Sequence, residues 1–176
     1  MVILGIDPGT ATTGYGLIRI DKKRVVPMEF DLIETPKNGV PGKRLKVIHK
    51  ELCKILKKYR PDVMAIEKIF FATNAKTAIR VGQAQGVMLM AAADYKTKVF
   101  EYAPGTIKKQ VAGNGRADKT DVQKALREIL GATVRSKPKK RTHFDNAADA
   151  LAVAICHAKK TNLMPSSEKV KGGESK

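Results

Sequence analysis

The stretch Val2-Ile3-Leu4-Gly5-Ile6-Asp7-Pro8-Gly9-Thr10 decides how this chain folds. Its apolar first half is typical of a buried β-strand, and the Asp-Pro-Gly sequence that follows is a turn signal. Two further segments with β character come next, at 14–20 and 25–33. Because only tight turns separate the three segments, we predict that they form an antiparallel meander.

The rest of the chain alternates between helix and strand. Apolar residues at helical spacing from Leu45 to Tyr59 predict a helix, and the short apolar run that follows stops at Glu67. The other predicted elements are a helix over 74–94, a strand at 99–100, a helix starting near 104, a helix over 122–130 capped by Asp118 or Thr120, and an Ala-rich helix over 147–158. The order βββαβαβααα predicts an α/β layered domain. Its mixed five-stranded sheet, three antiparallel strands and then a βαβ unit, is flanked by helices.

Composition limits the class of protein. The 176 residues carry 34 Lys and Arg against 17 Asp and Glu, a formal net charge of +17, and 43% of the residues are hydrophobic. Such a chain builds a core and is usually partnered by a polyanion. Nucleic acid is the first expectation, an anionic membrane surface the second, and plain solubility the alternative. Cys53 and Cys156 are too far apart for a zinc ribbon. Without a signal peptide or an apolar stretch near the roughly 20 residues that span a bilayer, we expect a cytoplasmic protein with no membrane partner.

A few carboxylates stand in unusual places. Asp7 and Glu67 each end an apolar strand, where open sheets bind ligands. The plain alternatives are a turn former and a solvated strand end. Asp149 falls inside the Ala-rich helix, where an acid without a task is disfavoured. Asp145 and Asn146 lie four and three residues before it and so share its helix face, although Asp145 is also a candidate N-cap.

Brought together, these carboxylates would repel one another and would need cations. Hard oxygen ligands without thiolates favour Mg²⁺ or Mn²⁺. Two such ions acting on a phosphodiester would activate a water and stabilise the leaving oxygen. The acidic site would then cut a phosphate backbone that the basic surface holds.

Five motifs in order give the chain a family resemblance. They are Ile3-Leu4-Gly5-Ile6-Asp7-Pro8-Gly9 with Thr13-Gly14-Tyr15-Gly16, Ala65-Ile66-Glu67-Lys68-Ile69-Phe70, Gly82-Gln83-Ala84-Gln85-Gly86, Gly113-Asn114-Gly115-Arg116-Ala117-Asp118-Lys119, and Asn146-Ala147-Ala148-Asp149-Ala150-Leu151-Ala152. The chain resembles the RuvC family of crossover-junction endodeoxyribonucleases, the Holliday-junction resolvases. The resemblance implies a ribonuclease H-like nuclease domain over 1–158, and composition predicts a disordered basic tail over 159–176.

The resemblance also implies the activity and its partners. It implies a homodimer that makes symmetric, Mg²⁺-dependent nicks in four-way junction DNA, with two ions per active site and Mn²⁺ as a substitute. RuvA and RuvB, the branch-migration proteins, would be its partners. Asp7, Glu67 and Asp149 match the family's catalytic, metal-binding acids. The family usually has Asp or His where this chain has Asn146, so we expect Asp145 to supply the fourth ligand, with His143 as a weaker substitute.

Further residues match the family's DNA contacts. Phe70, with Phe71 beside it, is expected to stack on an unpaired base near the cut, unless it is a core aromatic. Four basic residues are expected to contact phosphates and to add salt dependence rather than sequence selectivity. They are Arg80, Lys108, Lys109 and Lys119.

Three other functions compete with this interpretation. Asp-Pro-Gly-Thr followed by Thr-Gly-Tyr-Gly also resembles the phosphate loop of actin-like and sugar-kinase-type phosphotransfer proteins. Those proteins need two such domains with a nucleotide cleft between them, and 176 residues are too few for two. Asn146 favours a catalytically inactive junction-binding module. The third alternative is a general ribonuclease H acting on RNA–DNA hybrids, or a close relative that processes other branched DNA.

Overall fold

A computed structural model describes residues 1–36, 40–69, 75–131 and 141–164, the side chains of 141–146 excepted. The elements are β1 (Val2–Asp7), β2 (Thr12–Asp21), β3 (Arg24–Glu34), α1 (Pro41–Tyr59), β4 (Val63–Glu67), α2 (Ala75–Asp94), β5 (Lys98–Tyr102), α3 (Pro104–Ala112), α4 (Lys119–Leu130) and α5 (Arg141–Lys160). Their order agrees with the order predicted from the sequence.

The five strands form one mixed sheet in the order β3-β2-β1-β4-β5. The β1–β2 and β2–β3 pairs are antiparallel, whereas β1–β4 and β4–β5 are parallel. The antiparallel meander followed by a βαβ unit is therefore confirmed. β1 is the central strand, and its carboxyl end lies beside that of β4.

Side chains alternate along each strand, so the sheet separates two hydrophobic cores. On one face, Leu4 and Ile6 of β1 pack with α1 and α2, whose buried residues include Leu52 and Met88. On the other face, Ile3 packs with α3, α4 and α5. α5 is the most buried of the helices on this second face, since every residue of 150–158 is buried.

The predicted cap of α4 is confirmed, whereas both ends of α5 differ from the prediction. Asp118 is the N-cap of α4: its Oδ1 accepts a hydrogen bond from the Asp121 backbone N–H at 2.8 Å. α5 begins at Arg141, earlier than the predicted 147, and runs to Lys160. The chain then turns back at the hydrogen bond from Leu163 N–H to Ala158 O, and Met164 enters the core.

The packed chain thus extends at least to residue 164, past the domain boundary predicted at 158. The predicted tail beyond residue 164 lies outside the described residues. Within the described ranges, no helix is long and apolar enough to cross a membrane.

Candidate active site

Asp7 and Glu67 end adjacent parallel strands on the same face of the sheet. Ile6 of β1 pairs with Ile66 of β4, so each acid is the next residue of its strand. Ile6 and Ile66 pack towards α1 and α2. Because successive side chains point to opposite faces, both carboxylates lie on the face that α5 covers.

Two glycines allow α5 to approach this face closely. Gly5 and Gly16 are paired across β1 and β2. A Cβ atom added at Gly5 would lie 2.0 Å from the carbonyl oxygen of Ala150, and one at Gly16 would lie 2.8 Å from the Leu151 side chain. A larger residue at either position would push α5 off the sheet. The glycines therefore bring Asp149, the neighbour of Ala150, up to the acids at the strand ends.

The three acids line one cavity of about 250 Å³. α3 and α4 supply its other wall, which is partly apolar and carries two lysines. The lining residues are Asp7, Glu67, Pro104, Ile107, Lys108, Lys119, Val122, Asp149 and Ala152. The sequence does not identify these apolar residues as part of the site. Their helical spacing indicates only that one side of each helix faces the hydrophobic core.

Burial and like charge raise the pKa of two of the acids. The pKa of Asp7 rises to about 7, chiefly because burial disfavours the carboxylate and then because Glu67 and Asp149 repel it, while Lys119 acts in the opposite direction. The pKa of Glu67 is raised by burial and by Asp149, and Lys108 lowers it. When all three acids are ionised, their charge exceeds that of the two lysines in the cavity, and this excess favours the binding of cations.

Lys119 forms an ion pair with Asp149. Its Nζ is 3.3 Å from Oδ2 of Asp149, in an ion pair that is half exposed. Lys119 is the first residue of α4, and the cap at Asp118 fixes the start of this helix. The ammonium group thus marks a position beside Asp149 that attracts positive charge.

The donor set suits a hard divalent cation, because it consists of carboxylate oxygens from three elements. The three carboxylates do not all approach within 4.8 Å of one another; among the described residues only His49, Cys53 and Asp94 do so. The acids are therefore spaced more widely than three ligands of one closed site. Such spacing leaves room for further oxygen ligands from water or substrate.

Of the predicted basic contacts, the structure brings Lys108 and Lys119 to the acids. Lys109, the next residue of α3, is exposed and lines a separate cavity with Thr106 and Lys160. Arg80 is an exposed residue of α2, which packs on the opposite face of the sheet. Lys109 and Arg80 are therefore not part of the acidic cavity, and their contact with DNA stays a prediction.

The fourth acidic position stays a prediction as well. α5 begins at Arg141, so Asp145 lies within the helix and the alternative that it is the N-cap is wrong. Its spacing of four residues from Asp149 still places both on one helix face. The side chains of His143, Asp145 and Asn146 are outside the described part of the structure, as are Phe70 and Phe71 altogether.

Sequence comparison covers almost the whole chain. The family model named "Crossover junction endodeoxyribonuclease RuvC" matches residues 3–157. The RuvC of Alkaliphilus oremlandii is 46% identical over 163 residues, which are 93% of this chain and 96% of that protein. The RuvC of Syntrophomonas wolfei is 48% identical over 157 residues, 89% of this chain and 88% of that protein. The phosphotransfer alternative is accordingly not favoured.

Solved structures agree with the sequence comparison. Thermus thermophilus RuvC superposes with a TM-score of 0.81 at 31% identity, covering 93% of this chain and 96% of that one. The same protein in complex with a Holliday junction substrate gives a TM-score of 0.82. The yeast mitochondrial Holliday junction resolvase Ydc2, at 16% identity and a TM-score of 0.68, shares the fold. The predicted ribonuclease H-like fold is thereby confirmed, and this chain belongs to the RuvC family of crossover junction endodeoxyribonucleases.

Proposed function

We propose that this protein resolves four-way DNA junctions by hydrolysing one phosphodiester at symmetric positions in each of two strands. The observation that carries the proposal is the meeting of Asp7, Glu67 and Asp149, from three separate elements, in one cavity with Lys108 and Lys119. A phosphodiester needs both kinds of group, since the acids bind cations and the lysines bind phosphate. Family membership implies dependence on a divalent metal.

The three acids would hold the metal, with Asp145 as the fourth ligand. Two Mg²⁺ ions, or Mn²⁺ in their place, would supply an activated water and stabilise the leaving oxygen. Asp7 is affected by the charge of both other acids, since Glu67 and Asp149 each raise its pKa. Its carboxyl group must therefore give up any proton that it carries before it acts as a ligand.

The lysines and the cavity wall position the substrate. Lys108 and Lys119 would contact the phosphates that flank the cut. Pro104, Ile107 and Val122 give the cavity an apolar wall, and electrostatic interactions are stronger beside an apolar surface than in bulk water. Phe70 and Phe71 would stack on unpaired bases at the junction.

Two symmetric nicks need two active sites, so we propose that the protein acts as a homodimer. The exposed face of α2 supports this proposal. Ile79 and Met90 are 63% and 52% exposed, and a Cβ atom added at Gly82 or Gly86 between them would meet nothing within 4 Å. Small and apolar residues at this spacing allow a second helix to approach closely. Met90→Glu places a charge on this apolar face and is expected to convert dimers to monomers in sedimentation-velocity experiments, whereas Lys124→Glu, on an exposed position of α4 on the other face of the sheet, serves as the control.

RuvA and RuvB stay the predicted partners, because branch migration brings junctions to a nuclease that cuts them. The cytoplasm stays the predicted compartment for such a set of proteins. The predicted junction affinity needs no sequence-specific contact at the lysines, since phosphate contacts position a protein without selecting sequence.

Mapping the nicks on a synthetic four-way junction tests the proposal. Each of the four strands is labelled in turn and incubated with protein and Mg²⁺, beside a linear duplex of the same sequence and an RNA–DNA hybrid. We expect nicks at matching positions in two opposed strands of the junction only. Asp7→Asn is expected to bind the junction without cutting it.

The other functions predict different outcomes in the same assay. Equal cutting of the hybrid would favour a general ribonuclease H. Junction binding without nicks at any Mg²⁺ or Mn²⁺ concentration would favour the inactive binding module. Near-parental cutting by Asp7→Asn would contradict the assignment of the metal site.

A further inference from the structure

Three metal-ligating side chains meet on the face of the sheet remote from α5. His49 and Cys53 lie one turn apart on α1, and Asp94 is the last residue of α2. His49 Nε2 is 3.4 Å from Asp94 Oδ2 and 3.7 Å from Cys53 Sγ. One ligand atom from each residue lies within 4.8 Å of the other two. The cluster joins the two helices that cover this face.

The spacing of these atoms suits a tetrahedral ion. Four ligands at the usual zinc bond lengths leave about 3.6 Å between sulfur and nitrogen and about 3.4 Å between nitrogen and oxygen. The distances from His49 Nε2 are close to both values. Sγ of Cys53 is 3.8 Å from Nδ1, only slightly farther than from Nε2, so metal binding would include a rotation of the imidazole that aims Nε2 between the sulfur and the carboxylate.

A Cys-His-Asp catalytic triad would need a different arrangement. In a triad one ring nitrogen takes the proton of the nucleophile while the other donates to the acid. Here the carboxylate approaches Nε2, but Cys53 Sγ is nearly equidistant from the two ring nitrogens, at 3.7 Å from Nε2 and 3.8 Å from Nδ1, so it is aligned with neither of them. Burial and the charge of Asp94 also raise the pKa of Cys53, the opposite of an activated thiol. The cluster therefore has the ligands of a metal site and lacks the geometry of a nucleophilic one.

We propose that His49, Cys53 and Asp94 bind a zinc ion, with water as the fourth ligand. A thiolate and an imidazole select Zn²⁺ over the Mg²⁺ expected at the hard carboxylates of the active site. On binding, the Cys53 thiol releases its proton to solvent as the Zn–S bond forms, and the two negative ligands balance the charge of the ion. The ion would link α1 to the end of α2, so it would stabilise the packing of these helices against the sheet.

Cobalt substitution tests the proposal with a signal that only a thiolate site gives. The full-length protein, without an affinity tag, is freed of metal by a chelator and titrated with Co²⁺. We expect a near-ultraviolet sulfur-to-cobalt charge-transfer band that saturates at one equivalent and is removed by Zn²⁺. Asp7→Asn is expected to keep the band, which separates this site from the active-site acids.

Variants assign the band to the cluster. Cys53→Ser is expected to abolish it and Cys156→Ala to keep it. Asp94→Asn changes an exposed carboxylate, and because it removes a direct ligand it is expected to weaken Zn²⁺ binding by more than about 100-fold, measured by competition with a coloured chelator. Glu51→Gln, on α1 beside the cluster, is the control. The proposal is overturned by the absence of a band, by a band that survives Cys53→Ser, or by parental Zn²⁺ affinity in Asp94→Asn.

Discussion

Replacing Asp7 by Asn is expected to stabilise the metal-free protein. The pKa of Asp7 rises from 3.8 to about 7 on folding. The folded state therefore holds the proton more tightly than the unfolded state, so ionisation of Asp7 costs stability. This cost is absent below pH 3.8, grows as the pH rises to 7, and is fully present above pH 7.

The size of the effect follows from the shift. The pKa rises by 7 − 3.8, about 3 units, and each unit corresponds to about 1.4 kcal/mol, which sets a ceiling of about 4 kcal/mol. The amide of Asn must also be desolvated, so we expect a gain of about 2 kcal/mol at pH 8. For a chain of this length, that gain raises the melting temperature by about 4–8 °C.

Thermal melts in a chelator at pH 8 and pH 4 measure the gain, and Glu128→Gln on an exposed position of α4 is the control. The gain at pH 8 is expected to turn into a loss at pH 4, because the parental carboxyl group is then protonated in the folded state and only the cost of desolvating the amide remains. Saturating Mg²⁺ is expected to narrow the difference at pH 8, because ions bind the parental site more tightly and so stabilise it. Equal melting temperatures in chelator at pH 8, or a less stable Asp7→Asn, would refute the account of a crowded acidic site.

Three further predictions concern packing and DNA. Gly5→Ala places a Cβ atom 2.0 Å from the Ala150 carbonyl oxygen and is expected to lower the free energy of unfolding, measured in urea, by at least about 3 kcal/mol. Gly42→Ala is the control, because a Cβ atom there meets nothing within 4 Å and should leave stability unchanged. A small effect at Gly5 would contradict the close approach of α5. Lys108→Gln is expected to slow junction cleavage more than Lys109→Gln in single-turnover assays, because Lys108 lines the acidic cavity and Lys109 does not. Equal effects of the two substitutions would argue against a role of Lys108 in the active site. Junction affinity should fall steeply as salt rises, and a flat response would show that the +17 charge does not face DNA.

The sequence predicts the acids at the strand ends well. Asp7 and Glu67 each terminate an apolar run, and adjacent parallel strands bring their carboxyl ends together. The sequence also holds a second signal: glycines inside strands indicate the close approach of another backbone. Gly5 and Gly16 are such glycines, and they determine how near Asp149 comes to Asp7.

The limits of the prediction also have physical causes. The first residues of α5, from 141 to 146, are mostly polar, so apolar periodicity locates the start of the helix too late. Lys159 suggests an exposed tail, yet it is only 4% exposed. α5 continues through it to Lys160, and a lysine in a helix can bury its aliphatic stem. The cluster at His49 and Cys53 needs Asp94, whose position depends on how α2 packs on α1.

An anomalous-scattering map of crystals grown with Mn²⁺ would locate the metal centre directly. We expect Mn²⁺ peaks within ligand distance of the carboxylates of Asp7, Glu67 and Asp149, with the Lys119 ammonium displaced from Asp149. The absence of Mn²⁺ from these three carboxylates at saturating concentration, or its binding only at His49 and Cys53, would contradict the assignment of these acids as the metal centre of a junction-cutting nuclease.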